Sequence, residues 1–243
     1  MVIPGTDLMG IKMRKLAADM GLYITHHHAE PLGAEMFARA YPNERPNYKE
    51  NKELFLKLWE EAINAQKDQK TIYALGFRGQ GDCPFWSNDD SGDFDTDEKR
   101  GALISELIRL QRKMVEKKVK HPIFCTNLYG EIMELYDKGC LDLDEDIIKI
   151  YADNGFGKMV TRRRDNHLGR VKALPKNKKD YSGIYYHVSF YDLQAANHLT
   201  MLPNSVDFLN RELDEVLETG ANKYWLINCS NVLPHVYYLD AVR

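Results

Sequence analysis

Short runs of β-branched and aromatic residues recur along the chain, and each run ends in a cluster of polar residues. Six such runs cover residues 22–25, 71–77, 123–126, 147–152, 184–188 and 224–227. Amphipathic helical patterns lie between them, most clearly at 53–65, 101–115 and 207–218. This alternation predicts parallel βαβ units, whose polar strand ends meet at one face. The sequence therefore predicts an α/β enzyme of the (β/α)8 TIM-barrel type.

The number of runs predicts an incomplete barrel. A closed barrel of this type has eight strands, whereas six are clear here and a seventh would end within residues 2–7. The length of 243 residues is close to the ~250 typical of such a barrel. We therefore expect a single catalytic barrel domain over residues 1–243, with six to seven strands, truncated at its N-terminus and lacking flanking domains.

The composition excludes several classes of partner. The 33 basic and 36 acidic residues give a net charge of −3 without a sustained basic stripe, so nucleic acid is not expected. The apolar runs are shorter than the ~20 residues that cross a bilayer, so no membrane partner is expected. The four cysteines show no C-x-x-C spacing, and no cofactor is predicted.

The second run leads into Gly76-Phe-Arg-Gly-Gln-Gly-Asp82. Gly79 and Gly81 allow a tight turn and a close approach of the backbone to a ligand. The guanidinium of Arg78 can bind a carboxylate in bidentate fashion, which predicts an anion clamp beside Asp82. The alternative is that Arg78 and Asp82 merely pair with each other.

Glu131 follows the third run and is preceded by Gly130, so we expect it at the same rim as Asp82. Two rim carboxylates are the minimal equipment for glycoside hydrolysis, in which one donates a proton and the other activates water. A separation of ~6.5–9.5 Å between the carboxyl groups would indicate an inverting mechanism. The alternative is that Glu131 only stabilises the start of a helix.

The cluster after the first run has two interpretations. In an extended backbone His26, His28 and Glu30 share a face, and such a set can bind a metal. With His187 and His198 to complete the site, this predicts a metal-dependent hydrolase or isomerase as the rival function. We favour hydrogen bonding to substrate hydroxyls or to neighbouring acids, so no metal is predicted.

The later runs supply residues that suit sugar recognition. Alternation along a strand places Tyr185 and His187 on one face and Tyr186 on the other. Aromatic rings with polar tips can stack on a sugar and also form hydrogen bonds to it, although ordinary strand packing is the alternative. The candidates at these strand ends are Asp153, Asn154, Tyr185, Tyr186, His187 and Asn228.

The acidic segment 87–98 superficially resembles a calcium-binding loop. It lacks the full spacing of ligands that such a loop requires. We therefore predict a solvated loop followed by a helix that begins at Asp95 or Thr96.

Several motifs occur in the order in which one known family carries them. They cover residues 27–37, 76–82 with 84–86, 126–136, 152–160, 183–192 and 197–203. Together they closely resemble the catalytic domain of glycoside hydrolase family 115, over nearly the whole chain. This resemblance implies an α-glucuronidase that removes glucuronic acid, or its 4-O-methyl ether, from the α-1,2 linkage to xylose in glucuronoxylan. It also implies inversion without an essential metal.

The resemblance also implies roles for individual residues. It places Arg78, Asp82 and Glu131 in the substrate pocket, where Arg78 would hold the uronate carboxylate. Glu131 is our candidate for the acid and Asp82 for the base-side partner, with Glu30 as a third candidate carboxylate. Tyr185 or Tyr186, His187 and Asn228 would surround the sugar.

Members of this family carry a preceding domain with the first barrel strand, and often further domains after the barrel. A carbohydrate-binding fragment that has lost catalysis is therefore an alternative for this chain. A homodimer formed through domains outside the chain is a further hypothesis. Family members are often secreted or periplasmic, but residues 1–5 show no secretory signal pattern, so the localisation is left open.

Overall fold

Helices and parallel strands alternate in the computed structural model, which describes residues 7–161, 170–188, 204–229 and 235–243. The α/β class predicted from the sequence is therefore observed. The helices are α1 (Asp7–Asp19), α2 (Phe37–Ala40), α3 (Lys52–Gln66), α4 (Asp97–Glu116), α5 (Glu131–Asp137), α6 (Val206–Glu218) and α7 (Val236–Val242), and the strands are β1 (Ile72–Leu75), β2 (Ile123–Leu128), β3 (Ile148–Ala152), β4 (Ser182–His187) and β5 (Trp225–Asn228).

The chain divides into two compact units. Unit 1 comprises Met1–Thr126 and Gly139–Ile147, and unit 2 comprises Asn127–Lys138 and Ile148–Arg243. None of the described helices is long and apolar enough to cross a membrane.

In unit 1, β1 pairs in parallel with β2, in a register that runs from Ile72 opposite Ile123 to Leu75 opposite Thr126. The run at 22–25 joins β1 through a single parallel bridge between Ile24 and Thr71. The ladder stops there because the N–H of Ala74 donates to the Nδ1 atom of His26, at 3.2 Å, instead of to a backbone carbonyl.

In unit 2, β3, β4 and β5 form parallel pairs, with Ala152 opposite Tyr185 and His187 opposite Asn228. Every residue of β3 and β4 is buried, as is typical of parallel strands that are covered on both faces. The described residues thus contain five strands, and the predicted sixth contributes only the Ile24 bridge. The tail of a seventh, predicted within residues 2–7, lies almost entirely outside the described residues.

The three predicted helices are confirmed as α3, α4 and α6, but the predicted buried stripes are wrong by about one position. From the apolar spacing in the sequence, the buried stripe is predicted to consist of Leu54, Leu58, Ala62 and Ala65 in α3, and of Leu103, Leu107, Leu110 and Met114 in α4. Only Leu58 and Leu107 of these are buried. The buried faces consist of Phe55, Leu58, Trp59, Ile63 and Gln66 in α3, and of Gly101, Ile104, Ser105, Leu107, Ile108, Gln111 and Val115 in α4.

Each of these two faces includes a fully buried glutamine. In α4, the amide nitrogen of Gln111 donates to the carbonyl of Gly76, at 2.8 Å, and its amide oxygen accepts from the N–H of Gly76, at 2.9 Å. Gly76 follows β1 directly, where the ladder no longer supplies partners for its backbone. The side chain of Gln111 therefore fixes the point at which the chain leaves β1.

The acidic segment is attached to a neighbouring loop by ion pairs. Arg45 pairs with Asp90 at 2.8 Å, and Lys49 pairs with Asp93 at 2.6 Å. Thr96 is the N-cap of α4 and accepts a hydrogen bond from the N–H of Lys99, which confirms the predicted helix start. The prediction of a solvated loop was incomplete, because it did not include these attachments.

We predict that Gln111→Met lowers the free energy of unfolding by about 2 kcal/mol, because it leaves both backbone groups of Gly76 without their partner. Denaturant unfolding followed by circular dichroism measures this change. Lys113→Met, on the exposed face of the same helix, is the control and should change stability by less than about 0.5 kcal/mol. Equal stability of the Gln111 variant and the control would contradict the role of Gln111.

Candidate active site

His26 is a buried structural histidine in unit 1. Its Nδ1 atom accepts from Ala74, so the proton lies on Nε2, which donates to Gln66 Oε1 at 2.7 Å. The amide nitrogen of Gln66 donates in turn to the carbonyl of Leu32, at 2.6 Å. Burial lowers the pKa of His26 to about 3, against the opposing effect of the Gln66 hydrogen bond. His26 is therefore neutral near pH 7.

These contacts argue against the metal hypothesis. Both ring nitrogens of His26 already have protein partners, and the ring of His28 faces Asp82 instead. Within the described residues, no group of three or more histidine, cysteine, aspartate or glutamate side chains could hold a metal ion. His198, which the hypothesis also used, lies outside those residues. Among the described residues, His26, His28 and Glu30 therefore do not form a set that fits a metal ion.

Asp82 lies in a tight turn that follows β1. The N–H of Gly79 donates to the carbonyl of Cys83, at 2.8 Å, which closes the turn. Gly81 and Asp82 both have left-handed backbones, with φ of +70° and +61°. Aspartate tolerates this conformation better than most residues, but it is uncommon outside glycine and is often found at functional sites.

Two buried cationic or hydrogen-bonding side chains hold the Asp82 carboxylate. Arg78 pairs with Oδ1 through Nη1 and donates to the Asp82 carbonyl through Nη2, at 3.2 Å. The Nε2 atom of His28 lies 3.0 Å from the same Oδ1. The side chains of Arg78 and His28 are 5% and 4% exposed, whereas that of Asp82 is 44% exposed. The carboxylate is thus accessible, and its partners are not.

This arrangement favours the ionised form of Asp82. Partial burial would raise the pKa of its carboxyl group, but His28, followed by Arg78 and His27, lowers that pKa well below its usual range. Asp82 is therefore a carboxylate near pH 7. It can accept a hydrogen bond or a proton, but it cannot serve as the proton donor.

Glu30, the third candidate carboxylate, is buried in the same unit. Together with Arg78, Gln80 and Phe77 it lines a small cavity of about 30 Å3 that opens to solvent. Arg14 donates to the nearby carbonyl of Gly33, at 2.6 Å, and its charge interacts with that of Glu30. Glu30 therefore lies among cationic groups beside the Asp82 turn.

In unit 2, Asp153 and His187 form a fully buried pair. Asp153 Oδ1 contacts the Nδ1 atom of His187, and its Oδ2 accepts from the N–H of Gly157, at 2.7 Å. Both side chains are 0% exposed. Because the carboxylate accepts at Nδ1, that nitrogen carries a proton, and the pair fixes the tautomer and orientation of the imidazole.

Tyr185 lies beside His187, with ring centroids 4.5 Å apart. Its hydroxyl accepts from the amide nitrogen of Asn228, at 2.7 Å, and the ring of Tyr129 lies 6.1 Å away. The structure thus brings together Tyr185, His187 and Asn228, three of the predicted sugar-contacting residues. Tyr129 joins this group, although we did not select it from the sequence.

Asn154 and Tyr186 stabilise the loop that follows β3. Asn154 Oδ1 accepts from the N–H groups of Phe156 and Lys158, at 2.9 and 3.2 Å. The hydroxyl of Tyr186 donates to the carbonyl of Gly157, at 2.9 Å, and the side chain is buried. Tyr186 is thus directed to this loop, whereas Tyr185 contacts Asn228 and His187, as the alternation predicts.

Glu131 is the first residue of α5 and is half-buried. It follows Gly130, which adopts a φ of +55° where β2 turns into the helix. Asp82 belongs to unit 1 and Glu131 belongs to unit 2. The predicted separation of their carboxyl groups therefore stays a prediction.

A family model decides the class of the chain. The model for glycosyl hydrolase family 115 matches residues 6–243. The chain belongs to glycosyl hydrolase family 115. The resemblance inferred from the motifs is thereby confirmed over nearly the entire sequence. None of the curated proteins matches the chain.

A solved structure shares the fold of this family 115 chain. It is a family GH115 4-O-methyl-α-glucuronidase with specificity for decorated arabinogalactans. The two have a TM-score of 0.75 and 21% sequence identity, over 94% of this chain. The chain spans only 29% of the length of that relative.

Sequence reasoning missed Gln66 and Gln111, which fix the turns that carry His26 and Arg78. Both glutamines fall on the buried faces of their helices, three positions after Ile63 and Ile108. A polar residue in phase with a buried stripe was the available signal. The predicted stripes lie about one position away from the observed buried faces, so neither glutamine falls on a predicted stripe.

We predict that the free energy of unfolding falls when the pH is lowered, because His26 stays neutral in the folded state. The unfolded state takes up a proton near pH 6.5, whereas the folded state does so only near pH 3, so the free energy of unfolding decreases as the pH falls through this window. His26→Gln retains a donor toward Gln66 and removes the titrating group. Its stability should therefore change less than that of the wild type between pH 6.5 and 4.5.

Urea unfolding at several pH values measures this difference. His121→Asn is the matched control, because His121 is exposed and has a left-handed backbone that asparagine tolerates. It should keep the wild-type dependence between pH 6.5 and 4.5. A His26→Gln variant with the wild-type dependence would show that His26 is not the group responsible.

Proposed function

We propose that this chain hydrolyses the α-1,2 bond that joins glucuronic acid, or its 4-O-methyl ether, to xylose in glucuronoxylan, with inversion. The observation that carries the proposal is the Asp82 carboxylate, held ionised by His28 and Arg78 within a motif of a family 115 chain. Membership in a glycosyl hydrolase family supports the reaction class. The linkage and the stereochemical course rest on the motif resemblance.

The proposed reaction uses two carboxyl groups and one water molecule. Asp82 accepts a proton from the water molecule as the oxygen of that water bonds to the anomeric carbon. Glu131 donates a proton to the glycosidic oxygen as the bond from that oxygen to the anomeric carbon breaks. Glu30 is the alternative donor. Because Asp82 is held in its charged form, the acid role falls to one of the two glutamates.

The sugar would be surrounded by the remaining candidates from the sequence. In the cluster of Tyr185, His187 and Asn228, Asn228 is partly exposed and is the residue proposed to contact the sugar, whereas Tyr185 and His187 are buried and support it. We assign indirect contributions to Asp153, Asn154 and Tyr186, because their described contacts orient His187 and build the loop after β3.

Decorated arabinogalactan is a second candidate substrate. The structural relative described above is a 4-O-methyl-α-glucuronidase with specificity for decorated arabinogalactans. Release of uronic acid should therefore be measured on glucuronoxylan and on glucuronidated arabinogalactan in parallel. The better substrate identifies the polysaccharide, while the proposed chemistry is the same for both.

We predict different kinetic defects for the two carboxylate variants. Glu131→Gln should lower kcat on xylan-derived aldouronic acids by at least about 100-fold, but much less on an aryl α-glucuronide, whose leaving group needs no proton. Asp82→Asn should lower kcat on both substrates, because water activation is required for each. Initial rates of uronic acid and of aryl alcohol release measure these effects.

Two controls separate these effects from nonspecific changes in charge. Glu134→Gln makes the same change one turn along the helix that begins with Glu131, and Asp90→Asn changes an exposed aspartate in the loop near Asp82. Both should retain activity within about twofold. If Glu131→Gln lowers kcat equally on both substrates, the acid role would be assigned to Glu30. The variant Glu30→Gln then tests that assignment.

A further inference from the structure

We propose that Arg78 and His28 are positioning residues, which lock the Asp82 carboxylate in one orientation and in its charged form. This inference deepens the proposed function, since it assigns Arg78 to the catalytic carboxylate instead of to the uronate of the substrate. It differs from the uronate clamp that the sequence predicts. It matches the alternative in which the arginine and the aspartate pair with each other.

Two of the contacts of Arg78, one from each Nη atom of its guanidinium group, are made with Asp82. Nη1 pairs with the carboxylate, and Nη2 donates to the carbonyl of the same residue. The fork that would bind a substrate carboxylate in bidentate fashion is therefore directed at the aspartate. With 5% of its side chain exposed, Arg78 presents little surface to a ligand.

His28 holds the same oxygen from a second direction. The Nε2 atom of His28 lies 3.0 Å from Asp82 Oδ1, where its charge stabilises the ionised carboxylate. The ring of His28 lies against that of His27, with centroids 4.0 Å apart, and His27 Nδ1 accepts from the N–H of Ala29, at 3.2 Å. His28 is thus itself oriented by its neighbours, with its Nε2 atom 3.0 Å from Asp82 Oδ1.

The local backbone explains why Asp82 needs two such partners. The turn places Asp82 in a left-handed conformation and exposes nearly half of its side chain. An aspartate on such a turn would otherwise rotate freely about its side-chain bonds. Contacts from Arg78 and His28 to one oxygen, Oδ1, leave Oδ2 as the oxygen available to a water molecule.

The test follows the titration of the Asp82 carboxyl carbon by 13C NMR in the intact chain. The signal is assigned by its absence in Asp82→Asn. Arg78→Met and His28→Leu should each move the titration midpoint upward by at least about one pH unit, because each removes a partner of the ionised form. His28→Gln keeps an amide donor near the Nε2 position but not the charge, and should give a midpoint between those of His28→Leu and the wild type.

Two exposed positions provide matched controls. Arg211→Met and His121→Asn remove the same side-chain types elsewhere, and both should leave the Asp82 midpoint unchanged. If Arg78→Met does not fold, Arg78→Lys keeps the charge without the fork and should give a smaller upward movement. Unchanged midpoints in the Arg78 and His28 variants would overturn the proposal.

A binding measurement separates the two roles of Arg78. Loss of a clamp on the uronate should weaken the binding of glucuronic acid by about tenfold or more, whereas loss of a positioning residue should weaken it by less than about threefold. A tenfold loss in Arg78→Met with an unmoved Asp82 midpoint overturns the inference. The titration needs no turnover, so an inactive chain with the expected midpoints would refute the proposed function and leave the positioning role intact.

Discussion

The charged cluster of Asp82, Arg78 and His28 is the interaction on which the candidate site depends. A carboxylate in a tight turn is destabilised by its partial loss of hydration unless opposite charges or donors compensate for it. The described structure supplies both from buried side chains, so the carboxylate stays accessible while its partners are removed from solvent. The consequence is a carboxylate that is ionised near pH 7, and the proposed roles of the carboxyl groups follow from this state.

This cluster is held in place by polar side chains from helices. Gln111 binds both backbone groups of Gly76, two residues before Arg78, and Gln66 binds the ring of His26, two residues before His28. The two glutamines thus fix the two segments that supply the partners of Asp82. In unit 2, Asp153 has a comparable effect on His187, because it determines which ring nitrogen carries a proton. In each case a buried polar group orients a candidate residue within its own unit.

The sequence was sufficient for the fold class, for the helices α3, α4 and α6, and for the family, because these depend on hydrophobic periodicity and on ordered motifs. It also identified most of the residues that cluster around Asp82 and around His187, but not Tyr129. It could not distinguish a strand from the single bridge at Ile24, since that outcome depends on the ring of His26 taking the N–H of Ala74. Nor could it show whether Arg78 faces Asp82 or a ligand. Such choices depend on contacts between segments that are distant in the sequence.

The stereochemistry of the first product tests the central claim most directly. If Asp82 activates a water molecule for direct attack on the anomeric carbon, an α-linked uronic acid should appear first as the β-anomer. Proton NMR of the reaction mixture, recorded before mutarotation is complete, measures this for the chain acting on an aldouronic acid. Initial release of the β-anomer is the predicted result. Initial release of the α-anomer, or no release of uronic acid at all, would contradict the account.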